Sequence, residues 1–177
     1  MTFAGADEPT DLDRARNMFR LGLDHLIKAV DDGSLDQLGG MGLVEFMQEF
    51  ERTRNRLSVV DHQIFAAAER LDLPTVLCQG SMRRVLVSVL GLSKIEAGRR
   101  VRAAEAVGPR TSMLGEVVEP VRPVLAAAQR AGEVSAEKVS IIERALEKVD
   151  RRGFDPVGIA NGEGLLTENA ALFRPRT

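Results

Sequence analysis

The chain has 177 residues and a formal net charge of −2, from 24 basic and 26 acidic side chains. Its length is enough to bury a self-sufficient core, and its single cysteine, Cys78, excludes an intrachain disulfide. The absence of Trp and Tyr removes the best stacking platforms for single-stranded bases, and the longest nearly uninterrupted apolar run, VLVSVLGL at 85–92, falls far short of the roughly 20 residues of a membrane-spanning helix.

Residues 1–30 lack the charged start and apolar centre of a secretory signal, so the cytoplasm is the expected compartment. Apolar side chains recur with helical spacing almost throughout, and no alternating stretch is long enough to read as a strand. The expected class is all-α, an elongated helical bundle. A first helix is predicted from about Asp11 to Val30, capped by Thr10 and stopped by Gly33, with Leu12, Ala15, Phe19, Leu23, Leu26, Ile27 and Val30 on one inward stripe.

The second helix, about 42–71, carries a heptad-like seam of Leu43, Phe46, Phe50, Thr53, Leu57, Val60, Ile64, Ala67 and Leu71. At 1.5 Å per residue it spans roughly 43 Å, and such a rod is expected to pair with a long element. Either the remaining helices fold back on it, which is the preferred arrangement, or a second subunit forms a homodimer through the same helix. Leu73-Pro74 should break it.

Ser81 caps a predicted helix to Leu90 that turns Val85, Leu86 and Val89 inward and ends at Gly91. Ser93 and Glu96 have the spacing of a capping box, opening a helix that reaches Val107 and stops at Gly108-Pro109. Further helices are predicted over Val121–Ala131, closed by Gly132, and from Ser135 onward, burying Val139, Ile142, Leu146 and Val149. Asp155-Pro156 opens a last helix that contains Gly158, Gly162 and Gly164. Each of these glycines costs about 1 kcal/mol against Ala, so the helix needs a partner, and the chain up to ALFRPRT supplies none that the pattern reveals. The expected organisation is therefore a tail and first helix over 1–40, a helical core over 41–153, and over 154–177 the start of a helix cut short before a further domain.

The pair of helices over about 81–107 has the spacing of a helix-turn-helix, with Gly91 in the turn and Leu90, Leu92 and Ala97 suited to lock the two together. Val87 and Arg100 depart from that template. Residues 81–110 hold seven basic side chains against two acidic ones, a local +5 that leaves −7 for the rest of the chain. Any nucleic-acid contact would run through this patch, and the candidates for it are Arg83, Arg84, Lys94, Arg99, Arg100 and Arg102. The rival reading is a solvated helix face. Glu96 lies four before Arg100 and Glu105 three after Arg102, the spacings of surface ion pairs.

Self-contained catalysis has no support in the pattern. His25 and His62 are far apart on predicted helices and read as surface or core histidines, and Cys78 in TVLCQG reads as a small packed side chain. No metal-ligand spacing, phosphate loop or nucleophile elbow is present, so no catalytic residue, metal ligand, cofactor or small-molecule substrate is assigned.

The order of a long helix, then GSMRRVLVSVLGLSKIEAGRRVRAAEAV, then LAAAQRAGEVSAEKVSIIERALEKV resembles the actinobacterial domain of unknown function 222, also called the mycobacterial 13E12-repeat (REP) family, over about residues 40–175. Its most specific parts are LSKIEAGRRVRAAEAV and AGEVSAEKV. The resemblance implies a parent protein with a C-terminal HNH endonuclease domain, which would use a divalent metal ion to cut DNA. No position here matches such catalytic or metal residues. Two functions stand side by side: a non-catalytic module that binds or targets duplex DNA for such a nuclease, and an oligomerisation or protein-interaction domain without nucleic-acid contact.

Overall fold

The computed structural model describes residues 8–112, 114–153 and 155–172. The two ends of the chain, residues 1–7 of the expected tail and residues 173–177 of the ALFRPRT segment, lie outside the described residues. The fold is all-α with one two-stranded ladder, and the chain divides into two compact units, Met1–Gln48 and Glu49–Thr177.

In the first unit, α1 (Asp11–Asp31) opens with a reciprocal cap: Thr10 Oγ1 accepts from Asp13 N at 3.1 Å, and Asp13 Oδ2 accepts from Thr10 N at 3.2 Å. Gly33, at φ 83°, turns the chain into a 3₁₀ segment, Ser34–Leu38. The inward stripe expected of α1 is not buried. None of its residues is, and Leu12, Phe19 and Ile27 are each more than half exposed.

The long helix α2 (Gly39–Arg70) forms as one rod, beginning slightly before the predicted start. Its packed face differs from the predicted seam. His62, Phe65 and Ala68 are the buried residues, whereas Leu57, Val60, Ile64 and Leu71 remain exposed. At 100° per residue, Phe65 and Ala68 lie one step round from Ile64 and Ala67. Polar complementarity selects this face: Asn55 Nδ2 donates to the Gly132 carbonyl at 3.0 Å, and His62 Nε2 meets Gln129 Oε1 at 2.9 Å.

A short helix, α3 (Leu73–Val76), follows the break, and Cys78 is exposed at φ 53° rather than packed, because the chain turns there. Helices α4 (Met82–Leu90) and α5 (Lys94–Val107) form the expected pair, with Gly91 in the left-handed turn position. On α4 the buried side chains are Met82, Val85 and Leu86. Val89, expected inside, is 61% exposed in the last turn. Arg110–Thr111 (β1) pairs antiparallel with Val117–Val118 (β2), a hairpin too short to show as alternation in the sequence.

Helix α6 (Pro123–Ala131) begins two residues later than predicted, because Pro123 pushes Arg122 out of helical geometry. Ser135 caps α7 (Ala136–Asp150), which buries Val139, Ile142 and Leu146 and leaves Val149 half-buried. The glycine-bearing α8 (Pro156–Leu172) does find partners within the chain, since it packs on α6 and α7. Gly162 faces Leu146, and buried Glu163 accepts from Leu125 N at 2.9 Å, capping α6, which has no side-chain cap of its own. Arg122 and Glu143 add a nearly buried ion pair at 2.9 Å.

Two clusters form the core of the second unit. Phe65, Ala68, Met82, Val85, Leu86 and Ala97 make one, and residues of α5, α6 and α7 around Leu125, Val134, Val139 and Leu146 make the other. Helix α5 contributes to both, Ala97 to the first and Ala103, Ala106 and Val107 to the second.

Gly132 closes α6 at φ 82° in a place where a Cβ would lie 2.6 Å from the Arg52 carbonyl oxygen of α2. Gly132→Ala should therefore cost about 3 kcal/mol, a left-handed penalty of 1–2 kcal/mol plus a backbone clash that also disturbs the Asn55 hydrogen bond. Gly115→Ala, at φ 84° with open space around it, should cost only about 1 kcal/mol. Urea unfolding of the two variants checks this, and equal losses would remove the close approach of Arg52 as the cause.

Candidate nucleic-acid interface

The six basic side chains singled out in the sequence occupy α4 and α5, and the structure sorts them into two groups. Arg99 and Arg100 are engaged. Arg99 donates from Nε and an Nη nitrogen to both oxygens of Glu96, each at 2.9 Å, and Arg100 Nε donates to Glu96 Oε1 at 2.9 Å. Arg100 also reaches Asp61 on α2 at 3.3 Å, tying the two helices together.

Glu96 is consequently the hub. Ser93 Oγ accepts from Glu96 N at 3.1 Å as a cap should, but the Glu96 carboxylate does not return to Ser93. The capping box expected from the spacing is half formed, because two guanidinium groups outcompete one backbone amide for the carboxylate. Hydrogen bonds from Arg99 and then Arg100 hold its carboxyl down to about 2, while Glu96 in turn raises Arg99. The second expected ion pair, Arg102 with Glu105, is not among the salt bridges of the described residues. Burial, and the charge of Glu69 after it, raise Glu105, with Arg102 acting on it in the opposite sense.

Arg83, Arg84, Lys94 and Arg102 form the other group. All four are exposed, and among the described residues none makes a salt bridge with a carboxylate. Arg83 Nε donates to the Lys94 carbonyl at 3.0 Å, which fixes the start of α5 against the first turn of α4. Arg83 and Arg102 both reach buried Gly98 in mid-helix, where a Cβ would stand in ordinary contact, 3.4 Å from Arg83 Nε and 3.6 Å from an Arg102 Nη nitrogen. Beside this cluster lies a groove of about 390 Å³ lined by Gln79, Ser81, Arg83, Arg84, Ser88 and Lys94. Arg83 and Arg84 sit in the first turn of α4 and Lys94 opens α5. Cations at helix N-termini add to the positive end of the dipole, an arrangement that favours an anion.

The histidines do not belong to this surface. His62 is buried against Gln129, and its burial lowers its pKa despite the opposing effects of Gln129 and Asp61. His62 Nδ1 and Gln129 Nε2 have no hydrogen-bond partner. Among the described residues no group of three or more His, Cys, Asp or Glu side chains gathers to hold a metal ion, and no helix is long and apolar enough to cross a membrane. Asp61 is the contributor that sequence reasoning missed, because its partner Arg100 lies 39 positions away and no local spacing signals such a pair.

A family model described as a domain of unknown function (DUF222) matches residues 44–170. Among curated proteins the chain is similar to an uncharacterized protein of Mycobacterium tuberculosis H37Rv, 30% identical over 157 residues that take in 86% of this chain and 33% of the relative. A second uncharacterized protein of that strain is 29% identical over 135 residues, 74% of this chain and 59% of the relative. An uncharacterized protein of Mycobacterium bovis is 28% identical over 156 residues, 84% and 32% respectively. The chain thus spans about a third of the length of the first of these relatives. No solved structure matches it.

Because the folded pKa of Glu96 lies below its ordinary 4.5, the stability it contributes is fully present above pH 4.5 and is lost as pH falls toward 2. With water screening this part-exposed cluster, Glu96→Gln should cost about 1–2 kcal/mol at pH 7. The difference from the parent should shrink below about pH 4.5 and close near pH 2. Urea titrations across that range decide it, and a deficit independent of pH would detach Glu96 from the two arginines.

Proposed function

The chain belongs to the DUF222 family, and on that footing we propose that it is a non-catalytic module that holds duplex DNA through the α4–α5 surface, for a nuclease of HNH type with a divalent metal in the longer parent protein, acting in the cytoplasm. The observation that carries this reading is the gathering of Arg83, Arg84 and Lys94 on one groove at the first turns of α4 and α5, with Arg102 beside Arg83 farther along α5, all four without carboxylate partners among the described residues. Phosphate oxygens are the ligands that such donors suit, and a surface read through phosphates needs no aromatic stacking. Arg99 and Arg100 would reach a phosphate only by giving up Glu96, so they act as reserve donors and chiefly hold the surface in place.

The alternative, an interaction domain without nucleic-acid contact, draws on a different observation: the exposed apolar side chains Leu57, Val60 and Ile64 along α2. The two readings use different faces.

Four phosphate contacts imply a slope of about −3.6 in log affinity against log salt, and a loss of about 150-fold between about 50 and 200 mM salt. Arg83→Ala with Arg102→Ala should flatten the slope by about two units, whereas Lys28→Ala should leave it unchanged. Glu96→Gln releases Arg99 and Arg100 and should make the slope steeper by up to about two units. Fluorescence anisotropy of a labelled duplex titrated with the full chain reads all three. Absence of binding at the lower salt concentration, or equal effects from Arg102→Ala and Lys28→Ala, sinks the proposal.

A further inference from the structure

Helix α5 presents a large apolar side chain to solvent in its first turn. Ile95 is 83% exposed there, and among the described residues no other large apolar side chain of α5 is exposed. The start of the helix does not depend on it. Ser93 caps the first turn, and the apolar contact that anchors the entry comes from Leu92, which packs against the cluster containing Phe65 and Ala97. A β-branched side chain standing in water at such a position lowers helix propensity and buries little.

Its neighbours are the cations of the candidate interface. Exposed Lys94 precedes it. Exposed Arg102, seven positions on, lies within about 20° of it round the helix, at about 100° per residue, and roughly 10 Å farther along the axis. Between the two falls Gly98, over which Arg83 and Arg102 meet, and Arg99 is drawn back to the Glu96 carboxylate by two hydrogen bonds at 2.9 Å. A helix pair of this spacing meets duplex DNA with its first helix across the backbone and the N-terminal residues of its second helix against base edges. Arg83 and Arg84, in the first turn of α4, then lie at phosphates, and the first turn of α5 brings Lys94 and Ile95 to the major groove. Lys94 can reach a phosphate beside it, whereas Ile95 can answer only an apolar surface. The apolar group that a base pair displays in the major groove is the C5-methyl of thymine.

We infer that Ile95 reads thymine, its side chain closing over the 5-methyl group while the phosphate contacts hold the start of α5 in the groove. This rests on the DNA reading of the α4–α5 surface and adds to it the base that the surface prefers. The phosphate contacts carry no sequence information, so the preference belongs to Ile95 and the affinity to the cations.

Two duplexes of alternating A·T sequence, one built with thymine and one with uracil in its place, differ only in the methyl group, and every register along them offers it or lacks it. The full chain, titrated against both at about 50 mM salt, should bind the thymine duplex about fourfold more tightly, the worth of burying one methyl. Ile95→Ala, at an exposed position, should keep the circular dichroism of the parent and bind both duplexes equally, with the salt slope of the parent because no phosphate contact is lost. Arg102→Ala should do the reverse, flattening the slope and keeping the preference for thymine. Equal affinity of the parent for the two duplexes, or a preference that survives Ile95→Ala, overturns the role of Ile95 and leaves the phosphate contacts standing. Failure of both duplexes to bind overturns it together with the DNA reading.

Discussion

Helix α5 is buried from two sides, and this constraint organises the second unit. Ala97 faces the cluster built with α2 and α4, while Ala103, Ala106 and Val107 face the cluster built with α6 and α7. A helix in that position cannot carry large side chains on both faces without forcing its neighbours apart, and α5 has none larger than valine on either. Apart from exposed Ile95 and buried Gly98, its remaining positions are charged, and in a helix of 14 residues they are crowded into what is left of the circumference. The concentration of arginine on α5 is in part a result of that geometry.

Polar contacts then decide how the apolar elements meet. Hydrophobic burial is indifferent to small rotations of a helix, whereas a hydrogen bond at 2.9 Å is not. His62 on Gln129, Asn55 on the Gly132 carbonyl and Arg100 on Asp61 tie two turns of α2 to other elements, and together they fix which face turns inward. Glu163 does the same for α8, since a buried carboxylate on the start of α6 sets both the rotation and the height of the two helices.

This division explains what could be read from the sequence. Signals that act within one turn were legible: Thr10, Ser81, Ser93 and Ser135 cap where their spacing says, and Gly91 and Gly132 end helices in left-handed geometry. The all-α class and the family resemblance were legible too. The packed face of α2 was not, because its anchors are His62, Asn55 and Asp61, residues that a hydrophobic pattern counts as outward. The partner of α8 was hidden for a similar reason, since Glu163 reads as a surface charge until Leu125 is brought to it. At the candidate site, the clustering of six cations was visible, but their division into held and open groups depends on Glu96 choosing Arg99 and Arg100 over the Ser93 amide.

That choice has a consequence for how charge is distributed. A carboxylate bridging two guanidiniums leaves one net positive charge over three side chains, and Asp61 on the far side of Arg100 removes that one as well. The centre of α5 is therefore nearly neutral, although its sequence looks the most basic of the chain. Positive charge is left toward the α4 start, where Arg83 and Arg84 add to the positive end of the helix, and toward Arg102, which meets Arg83 over Gly98. Charge counting along the sequence located the right pair of helices and misplaced the field within it, because an ion pair cancels a field only when the partner's position in space is known.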